Sequence, residues 1–404
     1  MIIKLRMPLD STFLSEIFYE AMVYILNCVP ESSFNLDEVR LPDDSLRRAY
    51  KSMVDAKVEE ISVTLTGNDK VGKFFASLNI TETPPKKTYK EVLKILKNSC
   101  EKIPIIKNAI VLQAEMKGGK VFLDLPERCS LPAPQLFKVE RYTGFSTIEM
   151  NTTSQQLGLR ASPIAILIGF LGVYSSHIIT LELEKSVYHY FLFFSPDEIT
   201  SLLASGDRNR LLILYEIKEA LRELLSRVLR GSVMSEVLVL EVLLNAEIRS
   251  KLAGENLDKV GFNLFRLSPE GRQGPLYKTY KIYETIPLSV YKDPLFYHIL
   301  SKRGVEADKL CEKLQDALSP DGVIMEALRS FASQNKYDEA DIVLRGVLDL
   351  YRFVTLADTS RLYGFLRSLE EARRILTSTS QRDARAQKRA EKYTEIQREI
   401  SYVL

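Results

Sequence analysis

ASPIAILIGFLGVYSSHIITLELEKSVYHYFLFF occupies residues 161–194, and its reading decides the fold. From Ala161 to Leu181 the stretch carries no formal charge if His177 is neutral, which invites a membrane-spanning helix. Crossing a bilayer takes about 20 apolar residues. Here the run is interrupted by Ser175, Ser176, His177 and Thr180, and Ile178–Ile179 opens a β-branched stretch. The apolar part alone is too short to span. The pattern instead predicts a buried helix from about Pro163 to Tyr174, then a strand pair over 177–194. A soluble chain is the expectation.

Towards the N-terminus, STFLSEIFYEAMVYILNC (11–28) offers Ser/Thr caps and apolar residues at helical spacing. DSLRRAYKSMVDAKVEE (44–60) reads as a second helix. ISVTLT (61–66) alternates as a strand does, and Gly67-Asn68-Asp69 closes it. TETPPKK (81–87) is a loop, and Thr88 to Lys102 a helix. Ala109–Met116 and Val121–Leu125 flank Lys117-Gly118-Gly119-Lys120, a hairpin whose Gly-Gly tip permits the positive φ of a tight turn. Towards the C-terminus, 208–231 is an amphipathic helix ending on Gly231, and 235–254 reads as one further helix. Residues 259–291 are strand-like or irregular. From Glu306 the chain is almost wholly helical, interrupted at Ser319-Pro320-Asp321-Gly322. Segregation of this kind predicts α+β. The expected layout is a mixed α/β region with antiparallel hairpins over 1–305, containing a helical segment 196–254, followed by a C-terminal helical bundle over 306–404.

The 404 residues are 46% hydrophobic and 27% charged, enough for a full core and against global disorder. Lys and Arg number 55 against 53 Asp and Glu, a formal +2, so any basic surface must be local. Cys28, Cys100, Cys129 and Cys311 form no CxxC pair, and MIIKLRMPLD lacks an apolar signal core. A reducing, cytoplasmic setting is expected.

Gly67-Asn-Asp-Lys-Val-Gly72-Lys73-Phe74 resembles a phosphate loop, which reads GxxxxGK[ST] because backbone N–H groups and Lys cradle phosphates. Phe74 replaces the hydroxyl that holds Mg²⁺, and no βαβ unit follows. His177, His189 and His298 sit in no HExxH or His-Asp pattern, and Ser175-Ser176-His177 lacks a nucleophile elbow. Glu236, Glu241 and Glu247 do not share one helix face. With no complete catalytic or metal-binding constellation and no cofactor implied, a binding subunit is expected rather than an enzyme. A phosphate-loop nucleotide-binding enzyme remains the alternative. So does a scaffold whose apolar helices (210–252) dock partner proteins.

Three places interleave cations in a way that suits nucleic acid. Over 266–303, Arg266, Arg272, Lys278, Lys281, Lys292, Lys302 and Arg303 outnumber Glu270, Glu284 and Asp293, with Tyr277, Tyr280, Tyr283, Tyr291, Phe296 and Tyr297 threaded between. Cations hold phosphates while aromatic faces stack on unpaired bases; an ordinary strand pair with Tyr–Lys packing reads equally well. From Arg373 to Lys392, Arg374, Arg382, Arg385, Lys388, Arg389 and Lys392 lie near only Asp383 and Glu391. Helical spacing puts Arg382, Arg385 and Arg389 on one face, extended by Lys392. The third place is the hairpin tip, Lys117 and Lys120.

Arg141-Tyr-Thr-Gly-Phe-Ser-Thr-Ile-Glu149, the Gly-containing apolar helix and the strand VYHYFLFFSP, followed by a helical C-terminus, resemble the large subunit of the archaeal subtype I-A CRISPR interference complex (archaeal Cascade). The resemblance is one of layout over most of the chain. It implies a non-catalytic subunit that contacts guide RNA, helps recognise the short motif flanking target DNA and helps hold the displaced strand. Other subunits, including helicase and nuclease partners, would supply the chemistry. In such complexes protein reads only the flanking motif, and base pairing reads the rest.

Overall fold

The computed structural model describes the chain apart from residues 8–11, 118–119, 125–127, 143–157, 184–185, 232–233, 256, 272–275, 333–336 and 380–382. It is 58% helix and 19% strand, with small mixed and antiparallel sheets preceding a helical C-terminal region, which is an α+β fold. Contacts divide it into two units. The first is Met1–Tyr215 with Gly261–Pro287, and the second is Glu216–Val260 with Leu288–Leu404.

The first unit is built on two buried helices. Phe13–Cys28 starts at Thr12, whose hydroxyl accepts the Ser15 N–H. Pro163–Ser176 starts at Ser162, which accepts the Ala165 N–H at 3.1 Å, with Pro in the first turn where its missing N–H costs nothing. The second helix is apolar on every side because it is buried on every side. Its glycines set the packing distance. A Cβ at position 172 would lie 2.1 Å from the Ile17 carbonyl oxygen, and one at 169 would lie 2.3 Å from the Phe137 ring. Among the described residues no helix is long and apolar enough to cross a membrane.

Several polar groups inside this packing are paired. Ser175 donates to Glu20, Asn263 donates to Glu16 at 2.9 Å, and the Tyr50 hydroxyl donates to the Leu167 carbonyl at 2.8 Å. The sheet beside the helices runs in the order 279–291, 259–270, 186–194, 177–183. Phe13 stands edge-on to Phe191, Phe193 and Phe265 at 5.2–5.5 Å between centroids. Within the sheet, the Thr180 hydroxyl bridges His177 Nε2 (3.1 Å) and His189 Nδ1 (2.9 Å). The imidazole of His189 is wholly buried, which pushes its pKa down to about 3.

Two further small sheets complete the unit. One runs in the order 33–34, 39–40, 2–5, 110–112, the last two strands being parallel. The other runs 114–117, 120–123, 158–161, 131–132 and contains the expected hairpin, whose Gly-Gly tip lies outside the described residues.

Three local expectations fail for physical reasons. Ile61–Thr66 is not a strand and makes only the bridge Thr64–Thr88. Its alternation records one-sided burial of Ile61, Val63 and Leu65 rather than pairing. The segment 44–60 splits into Ser45–Lys51 and Asp55–Glu60, because Met53 turns inward and the Val54 N–H is taken by the Tyr174 hydroxyl at 2.9 Å. The segment 235–254 splits into Ser235–Leu244 and Ala246–Gly254, where the Asn245 side chain accepts the Ile248 N–H at 2.9 Å and restarts the helix.

The second unit is helical. Leu295–Lys302, Ala307–Ala317, Val323–Ala332, Ala340–Leu356, Thr359–Thr379 and Ala384–Val403 share one apolar core with Ser235–Leu244. The grouping differs from a cut at residue 305. Val237, Leu240 and Leu244 lie in the same buried cluster as Leu310, Leu314, Val343 and Val347, so these helices belong together. Burial pushes the pKa of Glu241, on the same segment, up to about 7.

Gly172→Ala is expected to cost the overpacking penalty of about 1–3 kcal/mol or more, since the atom it meets is backbone. Gly254→Ala, where a Cβ meets nothing within 4 Å, is expected to be neutral or slightly stabilising; denaturant melts compare the two. The units should also answer pH oppositely. The folded pKa of His189 lies below its unfolded value, so its contribution is present above about pH 6.5 and lost as pH falls towards 3. The folded pKa of Glu241 lies above its unfolded value, so its contribution is full below about pH 4.3 and lost as pH rises through 7. Hydrogen exchange at several pH values, read on peptides from 163–194 and from 235–244, checks both signs.

Candidate nucleic-acid interface

In the second unit the expected cations separate into pinned and free. Arg389 is pinned. Its Nε donates to the carboxylate of fully buried Glu339 at 2.8 Å, and its guanidinium lies 4.1 Å over the Tyr337 ring, whose hydroxyl donates to Glu326. Arg374 is exposed but shares Glu370 with Arg373, and the two guanidiniums hold that carboxyl down at about pKa 2. Arg385, Lys388 and Lys392 are exposed on Ala384–Val403 and form no ion pair among the described residues. Spaced by three and four, they follow one helix face over about 10 Å. Arg382 lies outside the described residues.

In the first unit Arg266 is also committed. Its side chain is 9% exposed, paired with Glu284 at 3.7 Å, and sandwiched between the rings of Tyr188 (4.0 Å) and Tyr283 (4.4 Å). Tyr–Arg packing across strands thus takes up the aromatic residues nearest this cation. Lys281 pairs with Glu270 at 3.6 Å. Lys278 is exposed without a carboxylate partner among the described residues, while Arg272 lies outside them. Lys117 and Lys120 face each other across their hairpin, both exposed. Lys117, Lys120, Arg266, Lys278 and Lys281 fall in the first unit, and Arg374, Arg385, Arg389 and Lys392 in the second.

The Gly67–Phe74 turn is occupied by its own protein. Gly67 N–H donates to the Tyr277 carbonyl, Asn68 N–H to the Thr66 hydroxyl, Asp69 N–H to the Thr66 carbonyl, and Lys73 N–H to the Lys70 carbonyl. The Asp69 carboxylate accepts from the Thr66 amide and hydroxyl and from the Gln135 amide. Phe74 is buried against Phe75 and Phe170. The amides a phosphate would need at these four positions are already hydrogen-bonded, and no strand leads into the turn. The apolar face expected to dock partners is likewise consumed: Val237, Leu240 and Leu244 are buried in the second unit's core.

Composition and spacing found Arg385 and Lys392 but ranked Arg389 with them. The distinguishing partner, Glu339, lies 50 residues away in sequence. Two residues missed beside the hairpin are Phe122 and Arg160, which share a sheet face with Lys117 and Lys120. The sheet register, not the sequence, is what places them there.

Arg389→Ala should destabilise the second unit by about 3–5 kcal/mol, because it strands a buried carboxylate. Arg385→Ala should stay within about 0.5 kcal/mol. Urea denaturation followed by circular dichroism separates them.

No family model matches the chain, and no solved structure matches it. A protein of Archaeoglobus fulgidus, described only as an uncharacterized protein, is 38% identical over 402 residues, spanning 99% of each chain. Identity of that extent across the full length of both shows common descent: this chain belongs to the same protein family as that archaeal relative.

Proposed function

We propose that the chain is a non-catalytic subunit that holds nucleic acid by its backbone. Its place would be a cytoplasmic assembly of the CRISPR interference type, with target DNA and guide RNA as ligands. Helicase and nuclease work would fall to partner subunits. The observation that carries this reading is the ridge of Arg385, Lys388 and Lys392, three exposed cations that meet no carboxylate among the described residues. In a chain of net charge +2, such a ridge is a local feature. Unpaired surface cations attract phosphate by releasing its counterions, an effect independent of sequence. Lys278, Lys117 and Lys120 add to it from the first unit. The resemblance in layout to archaeal Cascade large subunits supports the wider assembly, and the α+β order followed by helices agrees with that layout.

Replacing Arg385, Lys388 and Lys392 together by Ala should weaken binding of labelled DNA and RNA by about tenfold or more at low salt, on every sequence tried. Fluorescence anisotropy with the full chain measures this. Unchanged affinity overturns the assignment of the ridge.

A further inference from the structure

The small sheet of the first unit carries a second surface. Its register places Glu115 beside Phe122 and Phe122 beside Arg160, and likewise Lys117 beside Lys120 and Lys120 beside Gly158. Partners in register share a face, so Glu115, Lys117, Lys120, Phe122, Gly158 and Arg160 all lie on one side. The opposite side carries Leu123, Leu159, Ala161 and Leu131, all buried, together with half-buried Val121 and exposed Ala114, and is the core side. The first face is therefore the outward one. Lys117 and Lys120 are exposed, and Phe122 and Arg160 are half-buried.

An aromatic ring on the outward face of a hairpin strand lacks the usual core reason for being there. It shares that face with three cations, one carboxylate and Pro132, and the carboxylate is met by the Gln113 side chain. Arg160 is held by a hydrogen bond to the Ser130 carbonyl at 2.7 Å, which fixes its place without neutralising it. None of the three cations has an ion pair among the described residues. Residues two apart on a strand are separated by about 6.6 Å, and neighbouring strands by about 4.8 Å. The charges thus stand roughly one nucleotide's reach from the ring. Gly158 keeps the face low: a Cβ there would meet only Lys120 Cγ, at 3.6 Å, so the absent side chain is not demanded by packing.

The geometry points to single-stranded nucleic acid as the ligand of this face, with an unpaired base on Phe122 and phosphates on Lys117, Lys120 and Arg160. A polyanion answers the charge excess, and only an unpaired base offers a free π-face to the ring. A duplex, whose bases are stacked on each other, would use the cations alone. The inference rests on the nucleic-acid reading above but on a different surface, in the other unit.

The test uses the full chain with labelled oligothymidylate, oligouridylate and a mixed-sequence duplex. Phe122→Leu and Phe122→Ala should weaken single-strand binding by about tenfold and leave duplex binding unchanged. Phe122→Tyr should restore it. Gly158→Asp, which sets a carboxylate among the cations in a position with room for it, should weaken single-strand binding as well. Circular dichroism melts confirm that each variant is folded. Wild-type single-strand affinity in the folded Leu and Ala variants overturns the inference, as does an equal loss on duplex. A wild-type chain that binds none of the three probes overturns the functional reading itself. Binding that depends on Arg385, Lys388 and Lys392 but not on Phe122 leaves that reading standing and removes only this face.

Discussion

At Gly172 the helix Pro163–Ser176 comes so close to Phe13–Cys28 that a methyl group there would sit 2.1 Å from the carbonyl oxygen of Ile17. The first unit depends on that approach. It fixes where the first helix lies, and so where Phe13 meets Phe191, Phe193 and Phe265 of the sheet. It also brings Ser175 to Glu20, and Asn263 reaches Glu16 of the same helix, giving each of two buried side chains a donor inside a low-dielectric core. Glycine is required here for closeness rather than for backbone conformation, since its φ is not in the left-handed region.

On the surface, electrostatics separates residues that composition treats alike. Arg266 and Arg389 have each exchanged water for a carboxylate and an aromatic face, and their charge is spent holding strands or helices together. Among the described residues, Arg385, Lys388, Lys392, Lys117 and Lys120 have not. A phosphate approaching the first pair would have to break a pair partly or fully shielded from water, whereas the second group offers its charge at little cost. The functional reading follows from this division more than from the number of basic residues.

Much of the fold could be read from sequence where a local signal and the tertiary structure agreed. Ser162-Pro163 opens its helix, His177 and the β-branched pair after it begin a strand, and Ala114–Lys117 pairs with Lys120–Leu123 as a hairpin requires. The failures came where distant parts decide. The break after Lys51 depends on a hydroxyl 120 residues away, on Tyr174. Ile61–Thr66 alternates because one side is buried, although among the described residues it pairs only at the Thr64–Thr88 bridge. Asn245 was a readable cap, hidden because the apolar pattern runs through it. For the candidate site, positions of charge were readable and partners were not. Nothing near Arg389 announces Glu339, and Phe122 looks like core until the register shows which way its face points.

Phosphate held by exposed surface cations leaves a signature in salt. The most direct measurement is the salt dependence of DNA and RNA binding by the intact wild-type chain. The account predicts that log affinity falls linearly with log salt, with a slope steeper than about −2, since each phosphate neutralised contributes about −0.7 to −0.9. Affinity that is insensitive to salt, or no binding at low salt, would contradict it.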